Sequence, residues 1–315
     1  MKISGEAASA DIEATCAFTA EFKKIVEDND FPLDLVFNVD ETGLYWEKLP
    51  SRTYISREEK SAPGFKASKD RLNLLLGGDA SVTLKLKPLL VYHSETPRVM
   101  KSILKSCLPV IWTSNRKAWV TQLIFWEWYS KHFCHGVLQF CSQNCLLQKA
   151  PLLLDNAPGH PPDLEDVKSE LEVKVVFFPP NATSLLQPMD QGVIAAFKAY
   201  YLHQSLQEMM QQMDTSGVSW KSTLFKTIDN IKMAWEEVPV LCTKGVWHKI
   251  WLSNKNYGTN CDNLDMLINE ISKIAEVVCL DNVDPVGITE VLESHSQPLS
   301  NEELYDLAQQ LIEQQ

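Results

Sequence analysis

The 315-residue chain contains no run of 18 apolar residues, so no stretch reads as a membrane-spanning helix. Its opening residues, MKISGEAASADIEA, lack an apolar core and so do not read as a secretory signal. No Gly/Ser-rich linker, internal repeat or low-complexity tract divides it. Among the eight cysteines only Cys141 and Cys145 stand as a C-x3-C pair, and no second such pair accompanies them. His132, Cys134, His135, Cys141 and Cys145 lie close together, but their spacing matches no structural zinc site. These cysteines read instead as small buried hydrophobes, and free thiols in an intracellular compartment are the default. Basic residues are scarce at both ends. Residues 1–41 carry 3 Lys/Arg against 10 Asp/Glu, and residues 259–315 carry 1 against 12. The centre, 42–258, carries 25 against 19, which leaves it at +6 within a chain of net charge −12. A mildly basic centre suits a phosphate-backbone partner, and it also suits an ordinary solvated surface.

The most informative stretch is 150–192. Leu152, Leu153 and Leu154 form a short apolar run that stops at Asp155 and Asn156 before Pro158-Gly159. A second run, Val173 to Phe178, stops at Pro179-Pro180. Short apolar runs bounded by breakers predict strands covered on both faces, as in the parallel part of an α/β sheet. The polar stretch 163–171 between them reads as weakly helical, which makes a crossover unit. Asp190 then opens an amphipathic run in which Val193, Phe197 and Tyr201 recur every four residues. Taken singly, Asp190 is a favourable residue near a helix start and Asp155 a turn residue.

A third carboxylate changes that balance. Upstream, a helix is predicted over 8–28. Residues 33–41, LDLVFNVDE, then read as a strand ending in Asp40 and Glu41 and closed by Thr42-Gly43. Strand ends of this kind are where α/β sheets place ligands. Residues 47–71 form a basic insert with Lys48, Arg52, Arg57, Lys60, Lys66, Lys69 and Arg71, read equally as a backbone-contacting loop or a solvated hairpin. Two strands, 72–76 and 84–92, form an expected hairpin with Asp79 at its turn. An aromatic helix over 116–133 is expected to bury Trp119, Leu123, Trp126, Tyr129 and Phe133 on one side. Further helices are expected over 224–238, around Trp247 and Trp251, and through Leu264, Leu267, Ile268 and Ile271. Ser300 to Glu303 reads as a capping box opening a last helix.

The segments NVDETGLYW (38–46), SREEKSAPGFKASKDRLNLLLGGDA (56–80), LKPLLVYHSETPR (86–98), LLLDNAPGH (152–160) and LQPMDQGVIAAFKAYYL (186–202) resemble the pogo/Tigger group of the DDE superfamily. That group includes the Tigger transposable element-derived proteins, with centromere protein B and the jerky proteins as relatives. The resemblance covers about residues 33–250. It implies a ribonuclease-H-like fold: an α/β mixed five-stranded sheet with flanking helices, here with a C-terminal helical extension. It also implies that Asp40, Asp155 and Asp190 are the three catalytic carboxylates and the metal ligands. Glu41, Asn156 and His160 then stand behind them as supporting groups, and Arg52, Arg57, Lys60, Lys66, Lys69 and Arg71 contact nucleic acid. In such a fold the strands of Asp40 and Asp155 are neighbours, about 4.8 Å apart, so both carboxylates can share a cation. Two Mg²⁺ or Mn²⁺ ions about 3.5–4 Å apart serve phosphodiester hydrolysis or strand transfer. Family transposases carry helix-turn-helix domains ahead of this region, so the chain reads as a fragment, an alternative product or a domesticated descendant.

Three parts are therefore expected: a helical lead-in (1–32), a DDE endonuclease-like domain (33–258) and an acidic helical tail (259–315). The expected partner is DNA, the expected compartment the nucleus, and no membrane is involved. Two alternatives stay open. One is a nuclear DNA- or chromatin-binding protein that keeps the fold without cleaving. The other is a protein-interaction module, or a homo-oligomer, acting through the C-terminal helices.

Overall fold

A computed structural model describes residues 12–48, 70–180, 182–216, 223–251, 262–277 and 283–295. Its centre is a mixed sheet. β1 (Phe37–Tyr45) pairs antiparallel with β2 (Arg71–Asp79) along its whole length, from Phe37 opposite Asp79 to Tyr45 opposite Arg71. β2 pairs antiparallel with β3 (Leu89–Tyr92). On its other side β1 runs parallel to β5 (Lys149–Leu154), which runs parallel to β6 (Glu172–Phe177). The order β3-β2-β1-β5-β6 is the arrangement of a ribonuclease-H-like sheet. The sheet has six strands, not five. β4 (Ile111–Ser114) adds a parallel edge strand beside β3. Its four residues, IWTS, are all half-buried and show no alternation, so they carry no strand signature of their own.

β1, β2, β3 and β5 are buried on both faces, whereas β4 and β6 at the sheet edges are only half-buried, and Glu172 and Lys174 of β6 are exposed. Successive side chains point to opposite sides, and two cores result. Leu74, Leu76, Leu153 and Leu44 pack on one face with Phe22 of α1 (Ile12–Asp28), Phe197 and Tyr201 of α5 (Ile194–Ser216), Ile228 and Trp235 of α6 (Leu224–Glu237) and Trp247 of α7 (Val240–Trp251). Leu75, Val39, Leu152 and Leu154 pack on the other with Phe125, Trp128, Phe133 and Val137. These last belong to α2 (Gln122–Trp128), a five-residue wide turn at Tyr129–Phe133, and α3 (Cys134–Asn144). Cys134 and Cys141 are buried in that second core as small apolar side chains.

Several local expectations shift. The aromatic helix begins at Gln122, because the Thr121 side chain accepts the Ile124 N–H and caps it. Its buried face is Ile124, Phe125 and Trp128, whereas Leu123 and Trp126 face outward, so the largest side chains are not one stripe. The β5–β6 connection contains only a single turn, Leu164–Asp166. Besides Pro161, only Leu164 and Leu171 among its apolar side chains are buried, too few to hold a helix on the sheet. β3 is shorter than expected, because ahead of it Lys85 makes only an isolated antiparallel bridge to Gly78 of β2. The Lys85 ammonium donates to the carbonyl oxygens of Trp235, Glu236 and Val238 and closes the end of α6. Asp79 is a turn residue: its carboxylate accepts N–H groups from Ser81, Thr83 and Leu84. α8 (Asp262–Val277) and α9 (Pro285–Ser294) pack on α5 through Leu267, Ile271, Ile288, Val291 and Leu202. The capping box at 300–303 and its last helix lie outside the described residues.

β1 and β2 approach so closely that Gly77 has no room for a side chain. A Cβ there would stand 2.6 Å from the Asn38 carbonyl oxygen and 2.3 Å from a Val39 methyl. Gly77→Ala should therefore cost about 1–3 kcal/mol in urea denaturation. Gly136→Ala, in α3 with open space around the new methyl, should instead stabilise by about 1 kcal/mol. Equal responses at the two positions would contradict this strand packing.

Candidate active site at the carboxylate edge

β1 does not end at Asp40. It continues to Tyr45 because β2 pairs with it throughout, but β5 leaves it after the Asn38–Leu153 pair. Asp40 stands two residues past Asn38, and Asp155 two residues past Leu153. The two carboxylates therefore leave neighbouring strands at equivalent positions, where the sheet opens. Asp40 is buried and accepts the Glu41 N–H at 2.8 Å. Burial, and then the negative charges of Asp190, Glu41 and Asp155, push its carboxyl well above the usual carboxylate range. Three acidic groups thus act on Asp40 at this edge.

Asp190 arrives from a different element. It lies exposed in a wide turn, Met189–Val193, ahead of α5. Gly192 bends the chain there with φ 136°, a conformation that favours glycine. A buried amide holds this turn against β1. The Asn38 side chain donates to Gln187 Oε1 at 2.5 Å and to the Leu153 carbonyl at 3.1 Å, and its oxygen accepts the Met189 N–H at 3.3 Å. One side chain thus joins β1, β5 and the Asp190 turn.

His160 is the other organiser. Its ring is fully buried, with Nδ1 2.8 Å from Asp155 Oδ1 and Nε2 3.0 Å from Glu41 Oε1. Nδ1 also lies 3.0 Å from the Asp155 carbonyl oxygen, and beside ionised carboxylates both ring nitrogens donate, as an imidazolium does. Burial pushes its pKa down, but the Glu41 charge and the hydrogen bonds to Asp155 and Glu41 outweigh it and raise it to about 11. The ring packs 4.4 Å from that of Phe125. Asn156 is exposed and donates to the Phe178 carbonyl, tying the Asp155 loop to the end of β6. Among the described residues, no three Asp, Glu, His or Cys side chains stand together as a preformed metal cluster. Arg71 lies at the start of β2, whereas Arg52, Arg57, Lys60, Lys66 and Lys69 lie outside the described residues.

Residues 69–247 match the model of the DDE superfamily endonucleases. The chain belongs to this family. The DDE match contains Asp155 and Asp190, and Asp40 lies ahead of it on β1. The chain is 31% identical over 255 residues to Tigger transposable element-derived protein 7 of Homo sapiens, covering 74% of this chain and 45% of that one. It is 32% identical over 252 residues to Jerky protein homolog of Homo sapiens, covering 79% and 43%. The chain therefore spans less than half the length of these relatives. Among solved structures it is similar to a pre-cleavage Mos1 transpososome, with a TM-score of 0.44 at 12% identity over 82% of this chain and 65% of the other.

Three residues of this DDE edge carry signals that pattern reading passed over. Asn38 and Gln187 are fully buried polar groups at the ends of apolar segments. Lys198 is 2% exposed and sits between the buried residues Phe197 and Ala199 in α5. A lysine inside an apolar helical stripe is the kind of mismatch that marks a site.

The His160 imidazolium has a measurable consequence. Its folded pKa of about 11 stands above the ordinary 6.5. The stabilisation is therefore complete below pH 6.5 and is lost as pH rises toward 11. In chelator, the stability of the wild type should fall relative to His160→Gln from pH 6.5 upward to about 9. Parallel curves in urea denaturation would show that the folded ring is uncharged.

Proposed function

We propose that the chain is a transposase-derived, metal-dependent DNA endonuclease or strand-transfer domain that works in the nucleus. What supports this most is the parting of β5 from β1, which sets Asp40 and Asp155 at equivalent positions of neighbouring strands, and the Asn38 amide that holds the turn carrying Asp190 against β1. The donor set is all oxygen and strongly negative, which fits Mg²⁺ or Mn²⁺. Asp40, Asp155 and Asp190 would hold the ions, and bound ions of this kind activate an attacking oxygen and neutralise a leaving one in displacement at phosphorus. The chain's own residues supply the positioning. Asn38 and Gln187 fix the turn that carries Asp190. His160 holds one oxygen of Asp155 and neutralises Glu41, which keeps both side chains in place within a crowded acidic edge. DNA is the partner. For a second copy or another protein, the C-terminal helices leave side chains such as Met266, Val277 and Val286 outward.

A second reading, a DNA- or chromatin-binding protein without cleavage, is favoured by one feature. Glu41 and Asp155 are already bridged by His160, and no preformed cluster stands among the described residues.

Metal response separates the two. Ligand stabilisation follows RT ln(1 + [L]/Kd), so Mn²⁺ at about 100 Kd should add about 2.7 kcal/mol to the wild type. Asp40→Asn, Asp155→Asn and Asp190→Asn should each lose most of that gain. Asp163→Asn, exposed in the β5–β6 connection, should keep it. Without metal, Asp40→Asn should be as stable as the wild type or more so, because the buried charge and its repulsion are gone. Equal Mn²⁺ responses in thermal unfolding of all five proteins would leave the non-cleaving reading in place.

A further inference from the structure

Away from the carboxylates, the sheet and the helices of its second core leave a trough of about 730 Å³ between the start of β4 and α3. One face of α3, from Gly136 through Phe140 to Gln143, lines it. That face runs about 10 Å, the length of about three extended residues. Trp112 of β4 lines it too, and its indole is fixed by a 3.2 Å hydrogen bond from Nε1 to the Glu95 carbonyl. Trp112 and Phe140 are only half-buried. Gly136 keeps the trough open, since a Cβ there would meet no atom within 4 Å.

The strand beside this trough has an open side. β4 is the end strand of the sheet and pairs with β3. The Ile111 N–H reaches the Pro88 carbonyl at 2.8 Å, and the Asn115 N–H reaches the Tyr92 carbonyl at 3.0 Å. The backbone groups of Ile111, Thr113 and Asn115 therefore turn toward β3, and those of Trp112 and Ser114 turn away from it. Among the described residues, no strand pairs with that outer side. Edges are commonly blunted by charge or proline. The opposite edge, β6, carries Glu172 and Lys174, whereas the four residues of β4 carry no charge.

We propose that the trough is a docking site for an extended, acidic segment of a partner protein, which adds to the outer side of β4 and seats an apolar side chain against Trp112 and Phe140. Main-chain hydrogen bonds to an edge strand give affinity, and pockets for alternate side chains give specificity. Charge selects the segment. In a chain of net charge −12, the trough is lined by Lys87 and Lys105 and by no Asp or Glu. Lys87 is exposed. Lys105 pairs with Glu95 at 3.3 Å on the surface, and an exposed pair of this kind is cheaply exchanged for a bound carboxylate. A nucleic-acid duplex is too broad to enter.

The test uses the full chain and a fluorescein-labelled peptide of alternating Glu and Val, beside its counterpart with Lys for Glu, in fluorescence anisotropy. The wild type should bind the acidic peptide at least roughly tenfold more tightly than the basic one, and less tightly as salt rises. Gly136→Leu fills the trough, and Lys87→Glu reverses a charge on its lining. Each should weaken acidic-peptide binding roughly tenfold while keeping the wild-type circular dichroism. Lys24→Met, on the exposed face of α1, should change nothing. If Gly136→Leu does not fold, Lys87→Glu decides alone. No binding of the acidic peptide by the wild type, equal binding of the two peptides, or unchanged binding by the folded variants would overturn the proposal. So would a labelled single-stranded oligonucleotide that binds more tightly than the acidic peptide and loses that binding in Gly136→Leu, because the trough would then hold nucleic acid. A wild-type dimer in sedimentation that Lys87→Glu dissociates would overturn it as well, since a second copy would then fill the trough.

Discussion

β1 must do two incompatible things, and the architecture follows from how they are reconciled. It is the strand through which the sheet changes from antiparallel to parallel, buried on both faces by two separate cores. It also carries a buried carboxyl in its middle. Burying a charge in such a place is unfavourable unless polar groups compensate it. Compensation begins where β5 turns away after Leu153 and exposes one side of β1 to the loops that follow β5 and precede α5. The buried amide of Asn38 sits at that point of divergence and holds all three pieces.

The polar groups around this point separate into two sets. On one side, His160 stands between Glu41 and Asp155 as a buried positive charge. On the other, burial lowers the pKa of the Lys198 ammonium in α5, against the charges of Asp190 and Asp40. The groups of this edge come from β1, the β5–β6 connection, the turn before α5, and α5 itself. No local segment could assemble it, and each charge depends on neighbours distant in sequence.

The acidic C-terminal region is also more than a charged appendage. α8 and α9 complete the outer face of α5, the helix that carries Lys198, and the ring of His295 closes over Tyr45. Among its described residues the acidic side chains Asp265, Glu270, Glu276 and Glu293 face outward from α8 and α9.

Pattern alone indicated strands within 33–41, 72–76 and 152–154, the breakers that end them, and helices over 8–28, over 224–238 and through Leu264 to Ile271, where the structure has α1, α6 and α8. These are short-range properties: periodicity, caps and the refusal of proline and glycine to continue an element. The long motifs sufficed to indicate the family and to single out Asp40, Asp155, Asp190 and His160 as residues of interest. What pattern could not provide was anything set by pairing over long distances. β4 exists because β3 offers it an edge, and β1 runs on to Tyr45 because β2 accompanies it. The inward face of α2 was decided by where Thr121 caps it, not by its largest residues. The ionic partners of His160, the amide bridge of Asn38 and the burial of Lys198 were decided only by the tertiary structure. Each is a balance between desolvation and a charge or hydrogen bond contributed by another part of the chain, and that balance is undefined until the parts meet.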